Sequence, residues 1–260
     1  MRTSPLVQYV TMALIAGIGM SSPSLAECAK LVASAANMKR ASWSEIESFE
    51  APKSLNPKID IVQTIKGTGQ GKLNIDQYSI AIDKNGQEPK SLLNEIRRNL
   101  SGIVFNGSSY TNVTPLDADS KKLWESDNYK GSIIVFTLAS IPNVMDLETG
   151  AVVVSCQSDT DFLVSTVKVG SANTYSSPGW HPVSGNRAFG VRQTGDNSLT
   201  IFVKASDRIV NAGIFKTVLP NEFVFTQGSK VWMNMLDNLK AKYASRNPRD
   251  AASFSQRVDY

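Results

Sequence analysis

Hydrophobic and polar residues alternate along this chain with two different periods, and each change of period marks an element. In "IDIVQTI" and "LNIDQYSIAID" the apolar positions recur at every second residue, the pattern of half-buried strands. The glycine-rich "GTGQGK" links the two, and "KNG" closes the second with a turn. The period then lengthens. In "EPKSLLNEIRRNLSGIV", Leu92, Leu93, Ile96 and Leu100 form a helical stripe, Pro89 suits the first turn and Gly102 should stop the helix. Arg97 and Arg98 beside the stripe read as solvated charges. Ahead of these elements, residues 28–50 read as helical, first alanine-rich "AKLVASAANMKR" and then "SWSEIESF" capped by Ser42 or Ser44, until the prolines of "EAPKSLNPK" end it.

Further on, "LDADSKKLWESDNYKG" holds a short helix capped by Asp117 or Asp119, with Leu123 and Trp124 facing inward. Five strands follow with mostly short polar connections: "SIIVFTL", "GAVVVSCQS", "DFLVSTVKVG", "NRAFGVRQT" and "SLTIFVKASDR". The helical period returns in "SKVWMNMLDNLKAKYA", where Val231, Trp232, Met235, Leu236 and Leu239 share one face. This order predicts an α+β fold, an antiparallel meander sheet packed by helices that include a long C-terminal one. Residues 246–260 are polar and are expected to be a disordered tail, which leaves 27–245 as a single α+β domain.

Residues 1–26 have the layout of a signal peptide. Arg2 gives a positive start, Val10 to Met20 an apolar run, and Pro23 with Ser24-Leu25-Ala26 a cleavage site before Glu27. The run is well short of the ~18–20 residues of a spanning helix. Glu27, standing between Ala26 and Cys28, argues against a lipid anchor. The expected product is exported and soluble, periplasmic or secreted, with no transmembrane segment. In an oxidising compartment its two cysteines, Cys28 and Cys156, most simply form one bridge. The alternative is a buried strand thiol at Cys156 and a mobile terminal one at Cys28.

Charge changes the picture little. The formal net charge is +4 and the sequence pI about 9.0, but lysines and arginines are dispersed, with no basic stripe or arm. Nucleic acid is therefore not expected as a partner. Several chemistries lack their parts. There is no Gly-x-Ser-x-Gly elbow, no set of His and Cys ligands for zinc, no complete calcium loop, and no Gly-Lys-Ser/Thr ending to "GTGQGK". No cofactor or metal is expected.

What remains is "GWHPVSGNRAFG", which carries His181, the one histidine of the chain. Pro182 holds the histidine backbone extended, and Ser184, Gly185 and Asn186 are turn formers ahead of the strand that Arg187 enters. A hairpin about "TGDN" that pairs 195 with 196 sets residue 187 opposite 204 and His181 opposite 210. Asp207 and Arg208 then share the end of the hairpin with this motif. A bidentate Arg187–Asp207 pair is the expected clasp, pinning the loop to the next strand. A binding site made of His181, Ser184, Asn186, Arg187, Asp207 and Arg208 is the functional alternative. A third reading makes the protein a secreted, hydrolase-like enzyme or toxin with His181 as general base and Asp207 orienting it.

The ordered set "LNPKIDI", "LLNEIRRNL", "KKLWESDNYKG", "HPVSGNRAFGV", "TIFVKASDR" and "VWMNMLDNL" resembles a family of bacterial exported proteins of unknown function, over roughly residues 55–243. In that family the His-Pro-Val-Ser-Gly-Asn-Arg element precedes a strand, an Asp-Arg pair and a Trp-bearing helix. The strand before Asp207, "IFVKAS", departs from its more aromatic, glycine-containing form. The path from "HPVSG" through two strands to the last helix is similar also to helix-grip, START-like proteins, whose sheet wraps a C-terminal helix around a cavity. Complete fold signals beside incomplete catalytic ones favour a binding or interaction protein, its partner a small apolar ligand or another protein.

Overall fold

A computed structural model of the protein describes residues 27–104, 110–138, 148–170, 179–212 and 221–260. The expected signal peptide lies outside the described residues. Nine antiparallel strands make one sheet. They are β1 (Ile59–Val62), β2 (Gly69–Asp83), β3 (Tyr110–Pro115), β4 (Ile133–Leu138), β5 (Glu148–Gln157), β6 (Asp161–Val169), β7 (Val183–Gly195), β8 (Ser198–Val210) and β9 (Arg249–Val258). The spatial order is β3-β4-β5-β6-β7-β8-β2-β9, with β1 pairing the end of β6. The meander from β4 to β8 is as the short connections foretold, and β3, which the sequence reading did not include, extends it. The early strand β2 then closes against β8, far away in sequence.

Strand alternation gives the sheet two unlike faces. On one face Tyr78, Ile80 and Ile82 of β2, Phe189 and Val191 of β7, and Ile201 and Val203 of β8 meet the helices. Those helices are α2 (Pro89–Arg98), α3 (Leu100–Val104), α4 (Ala118–Glu125) and the long α5 (Asn221–Lys242). Asp117 caps α4, accepting from Ser120 N at 2.8 Å. Gly102 does not stop the helix. The chain breaks at Asn99 and resumes as α3, within which Gly102 lies. Arg97 is not solvated: it is fully buried, its guanidinium lying over Tyr129 (4.0 Å) and Trp124 (5.2 Å) and donating to Asn94 and the Ser126 carbonyl. A flat, weakly hydrated guanidinium stacks well on aromatic rings, which the polar letter alone conceals. Arg98 is exposed as expected.

The opposite face is crossed by the N-terminal segment, which is not the expected helix. Among the described residues ahead of residue 50 only one α-helical turn forms, α1 (Ser44–Glu47). Residues 28–32 are gripped instead by one side chain from each of five strands. Cys156 of β5 makes the disulfide with Cys28, and Asp161 of β6 accepts from Ala29 N (2.9 Å). Arg192 of β7 donates to the Ala29 carbonyl (2.7 Å), and buried Lys204 of β8 to that of Lys30 (2.9 Å). Gln77 of β2 both donates to and accepts from the backbone of Val32. Side chains of the sheet thus take backbone groups that a helix would have paired internally. Alanine's helix propensity is too small to compete.

The expected disordered tail is also corrected, since residues 249–258 form β9 along the edge of β2. The strand carries little apolar surface, but β2 offers it a ladder. Phe254 stacks at 5.2 Å on fully buried Trp43, and Arg249 pairs with Asp83 at 2.6 Å. Among the described residues no helix is long and apolar enough to cross a membrane.

Candidate functional site

The six residues singled out in the sequence divide between the two faces. Ser184, Asn186 and Arg208 lie on the face away from the helices and act in structure. Ser184 Oγ accepts from Thr68 (2.8 Å). Asn186 donates to the Ile46 and Phe49 carbonyls (both 2.8 Å) and accepts from Ser165 (2.6 Å). Arg208 donates to the carbonyls of Gly71 and Ile65 and lies over the Tyr260 ring at 4.3 Å. Gly185 explains the "SG" of the motif. It has φ +153°, and a Cβ there would collide with the Ser206 carbonyl of β8. At that glycine β7 parts from β6, and β1 takes over the pairing with Val167 and Val169.

Arg187 and Asp207 do come together on the helix-bearing face, but the sequence named the lesser partner. Arg187 binds Asp76 of β2 bidentately, Nη1 to Oδ1 at 2.9 Å and Nη2 to Oδ2 at 3.1 Å. Its contact with Asp207 is a single one at 3.4 Å. Asn74 Nδ2 bridges the two carboxylates, 3.1 Å from Asp76 and 3.2 Å from Asp207. The guanidinium lies 4.4 Å over the ring of Trp232 on α5. Both carboxylates are nearly sealed, their side chains 4% and 8% exposed against 15% for Arg187. Burial pushes the Asp207 carboxyl up to about 7, with Asp76 adding to the rise and Arg187 opposing it. Burial opposes the charge on Arg187, yet Asp76 and Asp207 hold its pKa above the ordinary value. Tyr78, two residues beyond Asp76 on the same face, has a buried hydroxyl without a hydrogen-bond partner, and burial raises it to about 12. Asn74, Asp76 and Tyr78 escaped the sequence reading. The available signal was three polar-tipped side chains at alternate positions, in register with Ile80 and Ile82 on an otherwise apolar face.

His181 stands apart from this cluster. Its ring covers Gly150 of β5 so closely that a Cβ there would collide with it. Its Nδ1 is 3.1 Å from the Val183 carbonyl and 3.2 Å from the Val183 amide, and Gln63 ties down its backbone by accepting from His181 N at 2.8 Å. Burial lowers its pKa to about 4, with the charge of Arg187 adding to the effect. The expected orientation of His181 by Asp207 is not formed. Asp207 is engaged by Arg187 and Asn74, and the partner of the ring is backbone.

Helix α5 covers the cluster unevenly. From Val231 to Leu239 its inward stripe is buried in the main core, whereas residues 226–230 of the preceding turns are half-buried or exposed. Phe225, Gly228, Trp232, Met235 and Leu239 follow the inward spacing of i, i+3, i+7, i+10 and i+14. At Gly228, apart from the helix's own backbone, no atom of the described residues lies within 4 Å of where a side chain would begin. Gly228 thus leaves open space one turn from Trp232, whose ring covers Arg187 of the buried cluster.

No protein-family model matches the chain, and no curated protein does so significantly. Solved structures to which it is similar include the aromatase/cyclase Zhui from a Streptomyces species (9% identity, 67% of this chain, 95% of that one, TM-score 0.43). Others are a conserved protein from Geobacillus kaustophilus (9%, 69% and 98%, TM-score 0.42) and a START-superfamily protein from Mycobacterium smegmatis (9%, 67% and 99%, TM-score 0.41).

Proposed function

We propose that this is an exported binding protein that holds a small, largely apolar molecule in the gap between its sheet and the first half of α5, with the polar end of that molecule at Asp76, Asp207 and Arg187. One observation carries the reading: among the described residues the space at Gly228, on the inward stripe of α5, is open one turn from the Trp232 ring that covers Arg187. Ligand sites join apolar walls to a few fixed polar groups in this way. The disulfide between Cys28 and Cys156 supports an oxidising compartment, and with it export. Catalysis by His181 gains no support from a ring whose basicity burial lowers and that lacks a carboxylate partner.

The test uses the neutral fluorophore N-phenyl-1-naphthylamine. The native protein should bind it saturably at one site, quenching or shifting tryptophan emission. Gly228→Leu should fold at least as well, because leucine is a better helix former by ~1 kcal/mol, and should weaken dye binding tenfold or more by filling the gap. Equal binding by parent and variant would remove the site from beneath α5.

A further inference from the structure

The hydrogen bonds of the cluster are unevenly shared. Asp76 receives two short bonds from Arg187 and one from Asn74. Asp207 receives only the second hydrogens of the same two nitrogens, Asn74 Nδ2 at 3.2 Å and Arg187 Nη2 at a long 3.4 Å. A carboxylate offers about four acceptor positions. Asp207 is therefore short of donors in a site that excludes most water. Tyr78, only 1% exposed, adds a hydroxyl with no partner. Ser229 of α5 is near that hydroxyl but not in hydrogen-bonding geometry.

The surrounding charges do not make up the shortage. Arg257 of β9 stands beside Asn74 in the ladder, but it pairs with Glu222 of α5 at 3.3 Å and lies over Phe225. Trp232 covers Arg187 and offers no acceptor. His181 is held neutral by burial. One guanidinium thus faces two carboxylates, and the fork of that guanidinium is turned to Asp76.

Taking the binding reading above as its basis, we propose that this site selects molecules whose polar end is a hydrogen-bond donor, ammonium before hydroxyl, and rejects carboxylates. An ammonium supplies donors to Asp207 and the Tyr78 oxygen and balances the second carboxylate. A hydroxyl supplies one donor without the charge. A carboxylate would have to draw Arg187 away from Asp76, leaving buried carboxylates facing one another without enough donors.

Dodecylamine, dodecanol and dodecanoate, each below its micellar concentration, should be compared as displacers of N-phenyl-1-naphthylamine at pH 8. The expected order is amine, alcohol, carboxylate, with at least tenfold between the first and the last. The lead of the amine should shrink at pH 6, where Asp207 takes up its proton. Asp207→Asn should narrow the tenfold gap to threefold or less, and Tyr78→Phe should weaken the amine and the alcohol alike. Equal displacement by amine and carboxylate, or preference for the carboxylate, overturns the head-group assignment while leaving the binding site in place. Failure of the native protein to bind the dye at all overturns the binding reading and this assignment with it.

Discussion

Replacing Arg187 by alanine removes the only cation bonded to both Asp76 and Asp207 among the described residues. At pH 8 both carboxylates stay buried with Asn74 as their shared donor, and breaking a buried pair in this way costs about 3–5 kcal/mol. The lost stacking on Trp232 contributes about 1 kcal/mol of that range. Acid should relieve part of the loss. Burial already pushes the Asp207 carboxyl up to about 7, and losing Arg187 removes the charge that opposes this rise, so by pH 5 its protonation removes much of the repulsion. The expected loss is about 4 kcal/mol at pH 8 and roughly half that at pH 5. Urea unfolding followed by tryptophan fluorescence, on parent and variant at both pH values, measures it. Arg187→Lys should fall between, since a lysine keeps the charge but not the fork. An alanine variant within 1 kcal/mol of the parent at pH 8, or a loss equal at the two pH values, would refute a buried ionised cluster.

Two further outcomes are expected. His181 is the single histidine of the chain, so its NMR titration is unambiguous, and its midpoint should lie near pH 4. Because the folded value lies below the ordinary one near 6.5, the neutral ring contributes stability that is lost as pH falls from about 6.5 to 4, and a midpoint at 6 or above would contradict its enclosure over Gly150. Deleting residues 247–260 strips β9 from β2 and Phe254 from Trp43. It should cost about 2–4 kcal/mol and lower the melting temperature by several degrees in calorimetry; an unchanged melting temperature would return these residues to the status of a tail.

Much of the sheet was legible because alternation is a local signal. Strands β4 to β8 and the stripes of α2 and α5 lie where their periods put them. Misread segments were those whose structure is decided at a distance. "AKLVASAANMKR" looks helical until Asp161, Arg192, Lys204 and Gln77 compete for its backbone. Residues 249–258 look like a tail until the open edge of β2 is known to lie beside them. The candidate site shows the same limit. Hairpin reasoning brought Arg187 and Asp207 to one end, though one residue out of register. The structure turns at residues 196–197, with Gly195 facing Ser198, and after a shift between Gln193 and Gly195 it pairs Arg187 with Ala205. That single step matters, since it puts Asp207, not Lys204, on the face of Arg187. Asp76 could not be found this way, for it reaches Arg187 across β8, and nothing local says that β2 closes there.

The placement of β2 also governs when the molecule can fold. Both of its ladder partners come from the last quarter of the chain: Asn74 meets Asp207 across 133 residues and Ser255 across 181. The edges of β2 stay unpaired, and the cluster around Asp76 unassembled, until β8 and β9 have been synthesised. Such distant pairings make folding slow, because loop closure comes before the contacts that reward it. During most of its synthesis the chain can build α2 and the early turns of the meander but no closed sheet. A sheet that needs β8 and β9 to complete it therefore leaves the nascent chain open until those strands have been made.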